Sequence, residues 1–434
     1  MRLFLFANAM IILCHSHGSL GAGFNPRFKA FKEDYEKRSL QYFLDNTNVE
    51  TGLVRDRAPN FGDVPSTFGY DDASIAATGF GMAVLANAAE RGLVPQSRAN
   101  GLILRALQTA ADKLFHYKGW FFHFVDWRTG ERSMFSEVST IDTCWFIAGA
   151  LYAAEASQNA EIKALTDRIF QRIDFNDMRT DGGTLPEKLT LSMGWMPETG
   201  YLTWGWDSYA EHLLLVVLGL GKSENPLPPE SWAAWRRQLT PLPNGQTIIG
   251  GDLPLFVHQY SHVFVDLRTF EDSYGNYFDN SVLATAYNKS LGDSTWSLST
   301  SQTFWGLSAS DGPWGYWPYS PNSRDGTVCP GCAAASVIFS PDDILSDIQT
   351  WAEGPDQPFI WGTYGFVDGM NVGKNWYGHD ALGITVGAAY LALADLEDQH
   401  SIWQVFSRIA VIQKGLEIAR RSTVPITAQP AMHR

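Results

Sequence analysis

Segments of apolar and small residues at helical spacing recur about a dozen times along this chain, and little between them alternates as a strand would. That rhythm constrains the fold more than any other feature. It predicts helices over 25–46, 74–92, 97–116, 139–156, 160–174, 280–290, 341–353, 380–396 and 399–421, with a short surface helix at 232–239. The aliphatic run Leu213-Leu214-Leu215-Val216-Val217-Leu218 predicts a buried helix closing near Gly221. One stretch departs from the rule: 119–132 partly alternates and turns at Thr129-Gly130, as a small β-hairpin does. No Gly-x-Gly-x-x-Gly and no strand–helix–strand rhythm are present, which removes the dinucleotide-binding folds. The Pro-rich turn at 225–229 is too short to separate domains, so 22–421 reads as one all-α domain with long aromatic loops.

Aromatic, Gly-rich loops repeatedly deliver an acidic residue to the start of an apolar segment, at Asp142, Glu211 and Asp380. In a helical toroid the inner helices run the same way and bring their N-terminal ends to one rim. Carboxylates far apart in sequence then meet in one cleft. Each also has a plain structural reading. Ser208-Tyr209-Ala210-Glu211 spells a capping box, and Asp142 stands third after Ser139 in a similar cap. What sets Glu211 apart is its approach loop, which carries Trp195, Tyr201, Trp204 and Trp206. Tryptophans clustered with Gly and Asp suit stacking on sugar rings.

The chain has 434 residues, 45% hydrophobic and 18% charged, and a formal net charge of −14. Nucleic acid and acidic polymers are poor partners for such a surface, because phosphate binding needs clustered Lys and Arg. A neutral ligand fits better. Residues 1–21 begin with Arg2 and an apolar run, then offer Ser19 and Gly21 for cleavage, and are expected to be a signal peptide. No later segment is long and apolar enough to be a membrane span. The protein is therefore expected to be secreted, extracellular or periplasmic, and monomeric. Residues 422–434 read as a flexible tail. Of the four cysteines, Cys329 and Cys332 in Cys-Pro-Gly-Cys are expected to form a local disulfide, and Cys144 to be core. No second Cys pair or spaced His pair completes a metal site, and no cofactor motif is present. Asn288-Lys289-Ser290 is the one glycosylation sequon.

Six motifs occur in an order that resembles a known family. They are STIDT (139–143), LSMGW (191–195), Trp206-x-x-Tyr209-Ala210-Glu211, PLFVHQYSH (254–262), WGLSASDGPWGY (305–316) and YGFVDGMN (364–371). Together they look like the bacterial glucoamylase-like domain, across nearly the whole chain. That domain includes the endo-β-1,2-glucanases of glycoside hydrolase family 144 and is related to the fungal ones of family 162. The resemblance implies a six-by-six α/α toroid without a catalytic metal or cofactor, acting on a neutral β-glucan with inversion. It implies Glu211 as general acid and Asp380, soon after Trp376, as candidate base. Asp142, Trp204, Trp206, His258, Gln259, Tyr260, His262, Asp311 and Trp376 are then candidate sugar contacts. A buried satisfied histidine is an equal reading for His258 and His262, and a turn for Asp311. Two departures stand out: Asp-Gln-Gly is replaced by Asp380-Ala381-Leu382-Gly383, and the loop usually rich in Ala and Gly carries Cys329 and Cys332. The expected function is endo-β-1,2-glucanase. The alternatives are a retaining β-1,2-glucan transglycosylase of the same fold and a non-catalytic glycan-binding protein.

Overall fold

The computed structural model describes residues 24–62, 69–179, 188–295, 303–397 and 399–422. The expected signal peptide and nearly all of the expected tail lie outside them. Thirteen α-helices occur among the described residues: α1 Lys29–Asn46, α2 Ile75–Glu90, α3 Gln96–Asp112, α4 Thr140–Ser157, α5 Ala160–Arg172, α6 Leu213–Gly221, α7 Tyr277–Thr295, α8 Pro330–Ala334, α9 Pro341–Glu353, α10 Gln357–Ile360, α11 Gly383–Ala394, α12 Ile402–Phe406 and α13 Ala410–Arg421. None of them is long and apolar enough to cross a membrane.

Two kinds of helix follow from two kinds of sequence. The helices α2, α4, α6 and α11 are rich in Ala, Gly and aliphatic residues on every face and are buried nearly throughout. The helices α3, α5, α9 and α13 carry a single apolar stripe and cover the first set from outside. Glycine sets the closest approach. A Cβ on Gly149 of α4 would lie 1.8 Å from the Gly79 carbonyl of α2, and one on Gly79 would lie 2.2 Å from the Trp145 carbonyl. Gly221 of α6 and Gly415 of α13 fit against carbonyls of Val411 and Val217 in the same manner. Side chains at these points would hold the helix pairs apart, losing dispersion contact along both.

Short ladders, most of two or three residues, join the approaches to the inner helices. Asp380–Leu382 pairs with Arg57–Pro59, Arg55 bridges Ala73, and Asp72–Ser74 pairs with Phe124–Asp126. Phe122 then bridges Val138, Val138–Ser139 pairs with Gly194–Met196, and Ser192 bridges Gly205. This belt runs past the starts of α11, α2 and α4 and on to the loop before α6, so those helix starts share one rim. Ser74 and Ser139 cap α2 and α4 by accepting from the Ala77 and Asp142 amides.

Several expectations are corrected. In place of a self-contained hairpin at 119–132, Trp120–Phe121 pairs with His116–Tyr117, while Phe124–Asp126 pairs with the strand before α2 and closes only a tight turn to Arg132. The expected surface helix at 232–239 is a 3-10 turn, Pro229–Trp232, followed by loop. Trp232 and Trp235 are buried, and Arg237 lies over Trp235 while donating to the Trp232 and Trp235 carbonyls, so tertiary contacts replace a helix ladder. The single helix expected at 399–421 is broken into α12 and α13. Asn288 is buried with its amide paired to both backbone groups of Leu307, which withdraws the sequon from modification in the folded chain.

Candidate active site

Glu211 lies in a turn two residues ahead of α6, and no side chain caps that helix. The capping-box reading therefore falls. Arg236 bridges the chain at Ser208, donating its amide to the Asp207 carbonyl and accepting from the Tyr209 amide, and the Glu211 carbonyl accepts from the Ser261 hydroxyl. The carboxyl group is left for the rim, where the Trp145 indole donates to it. Burial, then the neighbouring Asp142 carboxylate, pushes its pKa up to about 8. At neutral pH Glu211 holds a proton.

Beside it, Asp142 is fixed by the α4 cap. Ser139 Oγ donates to its Oδ2 at 2.5 Å, and His123 Nε2 lies 3.3 Å from its Oδ1. The other ring nitrogen, Nδ1, lies 3.0 Å from Glu137 Oε1. Burial disfavours a charged His123, but Asp142 and Glu137 prevail and carry its pKa up to about 9. The donor atoms of His123, Glu137 and Asp142 lie within 4.8 Å of one another, which is also the composition of a metal site. Each imidazole nitrogen already faces a carboxylate oxygen at 3.0 and 3.3 Å, so the cluster is paired within itself.

Farther along the belt Arg57 gathers three carboxylates. Its Nε is 3.2 Å from Asp56 Oδ2, and its Nη1 is 3.0 Å from Asp311 Oδ2 and 3.6 Å from Asp380 Oδ2. Asp380 sits in a strand, three residues ahead of α11, not at a helix N-terminus as expected. Its Oδ1 accepts from the Tyr70 hydroxyl at 2.9 Å. Burial raises its pKa, and Asp311 adds to the rise against Tyr70 and Arg57. Behind this row Asp368 is buried; it accepts from the Asp311 amide at 2.7 Å and the Thr385 hydroxyl at 2.9 Å. Burial and Asp311 push its pKa up. Tyr316 is 47% exposed, and its hydroxyl is pushed up by burial and then by the charges of Asp368, Asp56, Asp311 and Glu211.

Exposed aromatics stand in the loops that lead to these groups. Trp204 is 72% exposed, and Trp314 and Trp317 flank Tyr316 at 86% and 55%. Trp376 is half-buried on a short strand paired with Met370–Asn371. The other aromatic of the approach loop is corrected: Trp206 is buried, and its indole donates to the Thr140 hydroxyl at 2.9 Å. His258, Gln259 and His262 are also withdrawn from the cleft. His258 lies between the Gly250 carbonyl and the Tyr209 hydroxyl, His262 meets Ser281, and Gln259 donates to the Cys332 carbonyl and Ser336. All three are at most 1% exposed, so they hold the core together. Tyr260 from the same motif packs on Phe80 and Trp145, with its hydroxyl near Tyr316 and Glu211. Cys329 and Cys332 are joined by a disulfide, with Cα atoms 5.2 Å apart, and Cys144 is a buried free thiol. Sequence reasoning passed over His123, Glu137 and Asp368. Asp368 stood within a recognised motif, but His123 and Glu137 carry no local signal; only the belt unites them.

Helices packed on helices, with carboxylates gathered along a belt at their starts, define an all-helical fold with a carboxylate-lined rim. Residues 203–410 match the Glycoamylase family model. The chain is 22% identical to an exo β-1,2-glucooligosaccharide sophorohydrolase of Parabacteroides distasonis, over 88% of this chain and 56% of that relative. It thus spans little more than half the length of the curated relative. Its fold is that of the endo-β-1,2-glucanase from Chitinophaga pinensis, with a TM-score of 0.81 at 21% identity over 92% of this chain and 99% of that one. The β-1,2-glucanase from Parabacteroides distasonis superposes with a TM-score of 0.82 at 20% identity, over 91% of this chain and 60% of that one. The chain is thus similar, in part of its sequence and in its fold, to glucoamylase-like proteins.

Proposed function

We infer that the protein is a glycoside hydrolase that cleaves β-1,2-glucan within the chain, with inversion at the anomeric carbon. The observation that carries this reading is the placement of Glu211 just ahead of α6 on the carboxylate-lined rim, where burial and Asp142 raise its pKa and favour the acid form. Glu211 gives its proton to the glycosidic oxygen as the C1–O bond breaks. Asp380, with Oδ2 only loosely held by Arg57, takes a proton from the water that attacks the opposite face. Inversion requires roughly 6.5–9.5 Å between two such carboxyl groups, whereas a retaining pair stands about 5–5.5 Å apart. Trp204, Trp314 and Trp317 supply faces for sugar rings. The names of the relatives support the linkage: a sophorohydrolase and β-1,2-glucanases. The toroid of six helix pairs is the architecture this reading assumes. Export by the N-terminal segment and a monomeric state belong to the same proposal; the Cys329–Cys332 disulfide supports export.

A panel of β-1,2-, β-1,3- and β-1,4-glucans tests the reading, with products separated by chromatography and their first-formed anomer read by NMR. Mixed β-1,2-oligosaccharides released as the α-anomer are expected. Release of a single disaccharide from the outset would replace endo by exo action. A β-anomeric product would replace inversion by retention, and no cleavage of any glucan would leave a binding protein.

A further inference from the structure

The floor around Glu211 poses a proton-allocation problem. Asp142 is buried and Glu211 half-buried, the charge of Asp142 helps to raise the Glu211 pKa after burial, and carboxyl groups that interact in this way titrate as a pair. General acid catalysis needs the proton on one of them. The hydrogen-bond donors are distributed unequally. Asp142 is met by two, the Ser139 hydroxyl on Oδ2 and His123 Nε2 on Oδ1, while among the described residues the Glu211 carboxyl is approached by the Trp145 indole. The His123 ring is itself fixed at both ends. Its Nδ1 faces Glu137, its backbone amide donates to the Glu137 carbonyl at 2.8 Å, its carbonyl accepts from the Ile75 amide at 3.1 Å, and its face stacks on Phe124 at 3.9 Å. With a carboxyl oxygen at each ring nitrogen, the imidazole can donate at both ends only as a cation.

We propose that His123, bridging Glu137 and Asp142 as an imidazolium, is a positioning residue that holds Asp142 ionised and so leaves the shared proton on Glu211. The charged groups facing the ring are Glu137 and Asp142, with Asp56 beyond them; Arg132 faces Glu137, and Glu211 lies past Asp142. The cation offsets the charge of both partners, which lets two carboxylates stay ionised in a buried place. Asp142 in turn makes a second ionisation at Glu211 unfavourable. The proposal rests on Glu211 being the acid, but its first test does not require turnover.

That test is NMR of the whole protein with labelled histidine, the His123 ring being identified by its loss in His123→Gln. A cationic ring at pH 7.5 is expected, and Asp142→Asn should lower its titration by about one pH unit or more. A neutral ring, or a titration unmoved by Asp142→Asn, overturns the proposal whatever the enzyme does. The second test is the pH profile of β-1,2-glucan hydrolysis by His123→Gln. Without the cation Asp142 keeps a proton to higher pH and no longer opposes ionisation of Glu211, so the basic limb of kcat should move down by about one unit, with KM changing less than kcat. In an Asp142→Asn background the same substitution should leave the limb unmoved. A profile lowered equally at every pH would mean that His123 only supports the fold, and would overturn the proposal.

Discussion

At the residue scale, Glu211 carries a stability cost that should be measurable. Its pKa is about 8 in the folded chain, against about 4.3 for an unperturbed Glu. Below about pH 4.3 both folded and unfolded forms are protonated and the group is neutral to folding. Between about pH 4.3 and 8 the unfolded chain ionises while the folded one does not, so stability declines as pH rises through that window. Glu211→Gln is exempt from the decline. It should be more stable than the parent by roughly 1–3 kcal/mol at pH 7 to 8, and nearly equal to it at pH 4. Thermal midpoints across that range give the result; a variant less stable at pH 8 would return Glu211 to the role of a helix cap. The same ionisation sets activity. Hydrolysis should fall as pH rises through about 8, when Glu211 loses its proton, and fall again in acid as Asp380 gains one at a pH above the usual Asp range. A rate flat from pH 7 to 10 would contradict the assignment.

At the element scale, the small-residue segments were the legible ones. Gly79 and Gly149 lie in small-residue segments that read as helices, and α2 and α4 touch through them. Gly149→Ala places a Cβ 1.8 Å from the Gly79 carbonyl, so α2 and α4 must separate. Overpacking of this kind costs about 1–3 kcal/mol or more. Because α4 also carries Asp142 and Trp145, activity should fall beyond what the lowered midpoint explains. Differential scanning calorimetry with parallel rate measurements checks this, and an unchanged midpoint would contradict it. What local pattern could not supply were the elements ruled by distant partners. Ser208 reads as a cap, but the chain on either side of it pairs with Arg236. Trp206 reads as a sugar platform, but its indole finds Thr140 on the next inner helix. The histidines of PLFVHQYSH read equally as ligands or core, and burial with backbone and hydroxyl partners makes them core.

At the scale of the whole molecule, the belt of short ladders brings residues from 56 to 380 onto one rim, and no window of sequence contains it. Asp142, Glu211, Asp311 and Asp380 could be named beforehand because each stands in a recognisable motif or opens an apolar run. His123 and Glu137 could not, since they flank strands only two or three residues long. The disulfide belongs to this scale too, because α8 packs its Gly331 on Thr385, which donates to Asp368. A thiol titration of denatured, unreduced protein without residues 1–21 should find Cys144 alone; three thiols would contradict the bond. The account as a whole stands on Glu211 as the proton donor. The most direct measurement is the rate of β-1,2-glucan hydrolysis by Glu211→Gln beside the parent at pH 6, both confirmed folded. An amide has no proton to give, so the rate should drop about 10²–10⁴-fold while the glucan still binds. A folded variant that hydrolyses the glucan at the parental rate would contradict it.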